Sequence, residues 1–252
     1  MVITTFKRYE KKIIMDDKQY EAFLKCLLKY MNYDSHCIGG KMYTIYNIYY
    51  DTDNDDIINY SLSKPYYKEK LRLRSYKPIK EGSSEEVFLE LKKKINGIVS
   101  KRRVVLAIDE LENFLHKGIR PPKKDFISEQ VLNEITYFLS KNKVKPSVVI
   151  NYKRMAFFGK EDKDFRVTFD TAIKTRREDF YLGGIDYGTD ILKPGQRLLE
   201  IKILGAIPLW LTRILSDHNL FPQGFSKYGS EFEYYCTHEK YKNNNIEREK
   251  IC

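Results

Sequence analysis

The sequence predicts an α+β fold in which about eight antiparallel strands form a closed β-barrel, with amphipathic helices packed outside it. Eight segments alternate apolar and polar residues, the period-two pattern of strands. Inside them basic residues recur at every second position, as in Leu71-Arg72-Leu73-Arg74-Ser75. Runs of strands interrupted by single helices are typical of the α+β class.

The alternating segments define the predicted strands. They lie near Phe6–Met15, Tyr43–Asp51, Lys68–Tyr76, Val87–Lys94, Ile98–Leu106, Val148–Phe158, Phe165–Asp170 and Arg197–Ile203. Asn96-Gly97 falls between the fourth and fifth strands, and this dipeptide favours the tight turn of a β-hairpin. The fourth and fifth strands are therefore predicted to pair directly.

Four helices follow from apolar residues at helical spacing. The first begins near Asp16 and Asp17, which can cap it, and the second runs from Asp109 to a stop before Gly118. The third begins at Ser128, and the fourth has Pro208 near its first turn. No linker rich in Gly, Ser or Pro separates them, so we expect one domain over residues 1–236 and a polar tail over 237–252.

Composition favours an anionic partner and an intracellular setting. The net charge is +10 and the pI is about 9.2, which suits nucleic acid, anionic lipid or phosphorylated molecules. The four cysteines are scattered without metal-ligand spacing. The N-terminus becomes charged too early for a signal peptide, and no apolar stretch is long enough to span a bilayer. We therefore expect a soluble, cytoplasmic protein.

The charged rows of the strands can be interpreted in two ways, as facing solvent or as facing the interior of the barrel. In any single strand, a solvated polar face is favoured, because antiparallel sheets commonly alternate polar-out and apolar-in. Across the whole set, however, Arg and Lys recur with few acidic partners, and four amphipathic helices need an apolar surface to cover. Both observations favour charged rows that face the interior of the barrel, where phosphates and a metal would balance them.

These residues resemble a known family. Eight motifs occur in the order seen in the vacuolar transporter chaperone (VTC) catalytic domain, one of the CYTH-like triphosphate tunnel metalloenzymes. They are Lys7–Lys12, Tyr49–Thr52, Lys70–Tyr76, Phe88–Lys92, Asn151–Phe157, Arg166–Thr171, Leu199–Lys202 and Phe225–Gly229. The resemblance extends from about Phe6 to Ser230, which is nearly the whole chain.

The resemblance implies a β-tunnel that makes polyphosphate from the γ-phosphate of ATP. It assigns phosphate-binding, catalytic roles to Lys12, Arg72, Arg74, Lys92, Lys101, Arg154, Arg166, Lys202 and Lys227. It assigns the divalent metal, Mn²⁺ in preference or Mg²⁺, to Glu200. Tyr152 and Ser226 would line the substrate site. Glu10 and Glu90 would adjoin it or serve as salt-bridge partners of Lys12 and Lys92.

Two other functions are compatible with the same residues. The same tunnel would suit a metal-dependent tripolyphosphatase or nucleoside triphosphatase, since fold alone does not fix the reaction. A non-catalytic polyanion-binding module is the third possibility. The expected ligands are ATP and inorganic polyphosphate, whereas no nucleic acid partner and no membrane segment are expected. The absence of a G-x-x-x-x-G-K-[ST] motif argues against a P-loop site for ATP.

Overall fold

A large antiparallel sheet with helices on both faces makes up the computed structural model. The structure describes residues 9–79, 85–122, 125–184 and 187–240. Phe6, Lys7 and Arg8 of the first predicted strand and residues 241–252 of the predicted tail lie outside these ranges. The domain boundary at residue 236 therefore stays a prediction.

Ten strands are present in the described part of the chain. They are β1 Tyr9–Asp16, β2 Met31–Tyr33, β3 Tyr43–Asp51, β4 Tyr67–Ser75, β5 Glu86–Ile95, β6 Ile98–Ala107, β7 Lys145–Gly159, β8 Arg166–Arg176, β9 Thr189–Asp190 and β10 Gln196–Ile203. All eight predicted strands are found. Asn96 and Gly97 have φ values of 45° and 82°, so they form the expected left-handed turn between β5 and β6.

Six α-helices accompany the strands within the described ranges. They are α1 Asp17–Leu27, α2 Asp56–Leu62, α3 Ile108–Lys117, α4 Phe126–Lys141, α5 Leu209–Asp217 and α6 Lys227–Tyr235. A 3-10 segment covers Ser35–Gly40, and a π-helical segment, Cys236–Lys240, follows α6. The Asp16 carboxylate accepts a hydrogen bond from the backbone N–H of Gln19 at 2.8 Å and caps α1 as predicted.

The sheet is antiparallel throughout, and its strand order is β1-β10-β8-β7-β3-β4-β5-β6, with β2 beside β7 and β9 beside β8. No backbone ladder joins β1 to β6 in the described residues, so hydrogen bonds do not close the barrel there. Cα atoms of these two end strands nevertheless approach within 8 Å. A Glu10–Lys92 ion pair of 3.6 Å also connects β1 with β5. The α+β class and the antiparallel sheet are confirmed, while the predicted closure is limited to side-chain contacts.

The four predicted helices cover the apolar face of the sheet. Helices α1 and α5 pack through Phe23 and Leu211 onto strand residues that include Phe169. Helices α3 and α4 pack through residues such as Phe114 and Leu132 onto the Leu and Val rows of β4, β5 and β6. Arg72 and Arg74 alternate with the buried Leu71 and Leu73, so they lie on the opposite face. The charged rows therefore face away from these helices, as predicted.

Helices α2 and α6 were not predicted, and they occupy the face that carries the charged rows. Ile58 of α2 and Tyr228 and Phe232 of α6 pack on Ile150 and neighbouring apolar residues of β7. The prediction that helices pack only outside the sheet therefore needs this amendment. Among the described residues, no helix combines the length and the apolar character that crossing a membrane requires.

Candidate functional site

One face of the sheet, here called the cationic face, gathers basic side chains from β1, β4, β5, β6, β7, β10 and α6. Direct cross-strand pairs place Arg72 opposite Glu90 and Glu90 opposite Arg103, and they place Lys12 opposite Glu200. Its ten cations are Lys12, Lys70, Arg72, Arg74, Lys92, Lys101, Arg103, Arg154, Lys202 and Lys227. The carboxylates that form ion pairs with them are Glu10, Glu90, Asp170 and Glu200. The ten cations therefore exceed their carboxylate partners by six.

Glu90 is the first of two buried acidic centres. Its side chain is fully buried, and its carboxylate accepts hydrogen bonds from the guanidinium groups of Arg72 and Arg103. The Lys101 ammonium lies 3.4 Å from the same carboxylate. Burial raises the pKa of Glu90, but the surrounding cations outweigh it and hold the pKa well below its ordinary value. Glu90 is therefore an anion that fixes three cations in place.

Arg74 is held mainly by neutral groups. Its Nε donates to the Asn47 side-chain oxygen at 2.8 Å, and one terminal nitrogen donates to the Tyr152 hydroxyl at 3.0 Å. The nearest carboxylate, that of Glu90, is 4.0 Å away. Arg74 is nevertheless only 6% exposed. A buried guanidinium with neutral partners keeps its charge and spare donors for an anionic ligand.

Glu200 and Asp170 form the second acidic centre. The Lys227 ammonium at the start of α6 lies 2.8 Å from Glu200 and 2.6 Å from Asp170. Arg154 donates to both oxygens of Asp170 at 2.6 and 2.7 Å and reaches Glu200 at 3.2 Å. The Lys202 ammonium is also 3.2 Å from Glu200. Burial raises the pKa of both carboxyls, but these cations hold the pKa of Glu200 well below its usual range and lower that of Asp170.

Glu10 links the end strand β1 to β5, which lies next to the other end of the sheet. It lies 3.5 Å from the Lys12 ammonium on its own strand and 3.6 Å from the Lys92 ammonium on β5. Burial raises the pKa of Glu10, yet Lys92 and Lys12 outweigh this effect and bring it to about 2. Lys12 also donates to the backbone oxygen of Phe225 at 3.2 Å. The salt-bridge role predicted for Glu10 therefore fits its contacts.

Lysines face lysines where the sheet continues beyond these centres. Lys70 pairs directly with Lys92, and Lys92 pairs with Lys101, so three lysines stand in one cross-strand row. Like charges directly opposite one another destabilise a sheet. Burial and the neighbouring cation Lys92 lower the pKa of Lys70 to about 7. Burial lowers the pKa of Lys101 to about 8 despite Glu90. Lys101 and Lys92 have carboxylate partners in Glu90 and Glu10, so among the described residues Lys70 is the member of this row that has no ion pair.

Most residues assigned by the resemblance come together on this face, and two lie at its margin. Arg166 stands directly opposite Lys202 on the same face of the sheet, but its side chain is exposed and its guanidinium is 3.3 Å from Asp34. Ser226 caps α6, because its hydroxyl accepts a hydrogen bond from Gly229 N–H at 3.2 Å. The Tyr152 ring adjoins the second centre, with the Lys227 ammonium 4.6 Å from its centroid.

Three residues of the face were absent from the candidate set. Lys70, Arg103 and Asp170 all contact or face the predicted residues. Each lies two or four residues along a strand from a predicted site residue, so the period-two rule could have included all three. The strand register, which places Asp170 opposite Arg154, could not be predicted from the sequence.

Glu200 fits a divalent metal that takes most of its ligands from phosphates. Within the described ranges, no group of three or more His, Cys, Asp and Glu side chains could hold an ion alone. An ionised carboxylate offers about four lone-pair positions. Lys227, Arg154 and Lys202 approach Glu200 within 3.2 Å, whereas Lys12 is 3.9 Å away. One position is thus left for a cation, and Mg²⁺-like ions need only one or two carboxylates beside substrate phosphates.

Comparison with known proteins agrees with this architecture. The family model of the VTC domain matches residues 7–235. The fold is similar to the "putative adenylate cyclase" of Bacillus halodurans, with a TM-score of 0.53 and 14% identity over 89% of this chain and 96% of that chain. The PH1819 protein of Pyrococcus horikoshii OT3 gives a TM-score of 0.43 and 14% identity over 90% and 99% of the two chains, a value too low to support an argument. Because the family model spans nearly the whole sequence, the chain belongs to the VTC domain family.

Proposed function

We propose that this protein is a metal-dependent polyphosphate polymerase. A terminal oxygen of a polyphosphate chain attacks the γ-phosphorus of ATP, the bond from that phosphorus to its bridging oxygen breaks, and ADP leaves. The chain gains one phosphate in each turnover. Membership of the VTC domain family supports a phosphoryl-transfer enzyme, and the cationic face supports the polyanionic substrate.

The excess of positive charge on the cationic face is the observation that carries the proposal. Ten cations surround four carboxylates there, and four of the cations, Arg72, Arg74, Arg154 and Lys227, are less than 10% exposed. Crowded cations that outnumber their carboxylate partners repel one another, so a bound anion stabilises the face. A chain of phosphates supplies negative charge along a line, which matches cations drawn from neighbouring strands better than one compact anion does.

Each element supplies a part of the chemistry that phosphoryl transfer requires. Arg72, Arg74 and Arg154 offer forked donors that match two phosphate oxygens, whereas the lysines act as point charges. Charge on the transferring and leaving oxygens is the main thing such a site must stabilise. Glu200 would hold Mn²⁺ or Mg²⁺, which neutralises phosphate charge when bound. The tight ion pairs to Glu90 and Asp170 keep the guanidinium groups oriented before substrate arrives.

A product-length assay tests the proposal. Purified protein is incubated with ATP and Mn²⁺, and the products are separated by gel electrophoresis and by nucleotide chromatography. Long-chain polyphosphate together with ADP is the expected result. Release of orthophosphate alone would replace the proposal by a triphosphatase. Salt-dependent polyanion binding without turnover of ATP or tripolyphosphate would replace it by a binding module.

A pair of arginine variants controls for nonspecific charge. Arg74→Gln removes a cation from the cationic face and should lower kcat/KM by ~10-fold or more, the value of a lost hydrogen bond to a charged group. Arg102→Gln is the matched control. Arg102 lies on the opposite face of β6 from Arg103 and bonds Glu134 at 2.9 Å. The Arg102→Gln variant should keep the turnover of wild type. Equal losses of kcat/KM in both variants would contradict a site on the cationic face.

A further inference from the structure

We infer that a lysine track formed by Lys68, Lys70 and Lys94 binds the distal part of a long polyphosphate chain and sets the direction in which the chain leaves the site. This inference rests on the proposed function. It adds a binding segment beyond the acidic centres. The segment is selective for chain length, because a short substrate ends before it reaches these lysines.

Register places the track directly beyond the arginine rows. Lys68, Lys70 and Arg72 project from the same face of β4, since residues two apart in a strand point the same way. Lys94 of β5 pairs directly with Lys68, as Lys92 pairs with Lys70. Strand residues rise by about 3.3 Å, so Lys68 stands about 13 Å along the strand from Arg72.

The track lacks acidic partners. In the part of the chain that the structure describes, no carboxylate lies within 4.0 Å of the Lys68, Lys70 or Lys94 ammonium. Lys68 instead donates to the backbone oxygen of Ser61 at 2.7 Å, and Lys70 lies over the Tyr228 ring at 5.3 Å. Directly opposed lysines without acids are unfavourable unless an anion joins them. Burial and the cations around them lower the pKa of Lys68 and Lys70 in accordance with this crowding.

Charge is distributed unevenly along the strands, and this gives the track its direction. On the other side of the Arg72 row, the next cross-strand row consists of Arg74, Phe88 and Val105, which supply one cation. On the track side, two successive rows supply lysines from both β4 and β5. A growing anionic chain is therefore stabilised toward the Lys68–Lys94 end and gains less at the Arg74 end.

Binding of short and long phosphate chains tests the track. The double variant Lys68→Gln/Lys94→Gln is compared with wild type by calorimetric titration with inorganic tripolyphosphate and with long-chain sodium polyphosphate. We expect the double variant to bind the long chain ~10-fold more weakly, the loss expected of two partly exposed charge contacts, and to bind tripolyphosphate within ~2-fold of wild type.

Lys93→Gln is the matched control, because Lys93 stands between Lys92 and Lys94 but faces the other way, toward Glu69 at 3.3 Å and Glu134 at 2.9 Å. It should leave the affinity for both ligands unchanged. Equal weakening toward both ligands in the double variant, no weakening toward the long chain, or an equal loss in Lys93→Gln would overturn the track. If wild type bound neither ligand, the proposed function itself would fail.

Discussion

We expect Lys70 to make phosphate binding dependent on pH above about 7. The lysine is half-buried on the cationic face and its pKa is about 7, because burial and nearby ammonium groups disfavour its charged form. The charged and titratable groups around it are Lys92 of β5, Lys68 of β4, Lys12 of β1, Asp51 of β3 and Tyr228 of α6. A bound polyphosphate would raise the pKa of Lys70 again, because it adds negative charge beside the ammonium group.

The size of the effect follows from the pKa. At pH 8 a group with a pKa of about 7 is about one-tenth protonated, whereas an ordinary lysine with a pKa of about 10.4 is fully protonated. If the bound anion restores the ordinary pKa, binding at pH 8 draws ~0.9 proton onto Lys70. The affinity then falls by up to ~10-fold for each pH unit above 7, or about 1.4 kcal/mol. The terminal phosphates of the ligand also titrate, so the difference in proton uptake between wild type and Lys70→Arg isolates the contribution of the lysine.

Isothermal titration calorimetry in two buffers of different ionisation enthalpy counts the protons taken up on binding long-chain polyphosphate. Lys70→Arg keeps the positive charge but does not titrate, so its proton uptake should be lower than that of wild type by ~0.9. Some proton uptake should remain in Lys70→Arg, because Lys101 and Tyr76 have pKa values of about 8. Equal proton uptake by wild type and Lys70→Arg would refute the reasoning.

Three further substitutions probe the metal residue and the fold. Glu200→Gln should reduce Mn²⁺-dependent turnover by at least ~100-fold and should also lower the melting temperature, because the amide loses the charge that binds metal and that pairs with the surrounding cations. Arg177→Ala should lower the free energy of unfolding in urea by about 3 kcal/mol, since it strips the buried Glu231 of its bonds at 2.8 and 3.1 Å. Gly188→Ala should cost at least ~2 kcal/mol in the same assay, because φ is +114° and a Cβ would lie 2.6 Å from the Thr175 backbone oxygen.

Each of these expectations has a contrary result. Full turnover of Glu200→Gln at saturating Mn²⁺ would remove Glu200 from the metal role. Unchanged urea unfolding of Arg177→Ala would mean that Glu231 finds another partner or takes up a proton. Gly205→Ala is the control for the backbone prediction, since its Cβ would meet nothing within 4 Å. A similar loss in both glycine variants would contradict the steric argument at Gly188.

Strands and their faces could be predicted because one signal determines both. Alternation in Leu71-Arg72-Leu73-Arg74 identifies a strand and also separates its buried side from its charged side. The four amphipathic helices on the apolar face could be predicted for a similar reason, since the periodic apolar residues that form them are the ones they bury. The local sequence pattern was sufficient to predict an element wherever the residues that form the pattern are also the residues that make its tertiary contacts.

Helix α6 could not be predicted because its stability comes from tertiary contacts. It has nine residues and contains Gly229, which disfavours an isolated helix by about 1 kcal/mol. A Cβ at Gly229 would lie 3.1 Å from the Leu62 side chain, so the glycine allows α6 to pack against α2. The Tyr228 hydroxyl also donates to the buried Asp51 carboxylate at 2.7 Å. None of these partners is near α6 in sequence.

The ratio of cations to carboxylates distinguishes the cationic face from a purely structural network of ion pairs. Around Arg177, one cation meets Glu231 and Asp55, so carboxylates outnumber cations in that group. On the cationic face the same residue types occur, but lysines such as Lys70 and Lys92 are opposed to each other. Sequence composition cannot distinguish these cases, because the balance depends on strand register. A cluster in which cations outnumber carboxylates favours an external anion, whereas the Arg177 group has no spare cation to offer one.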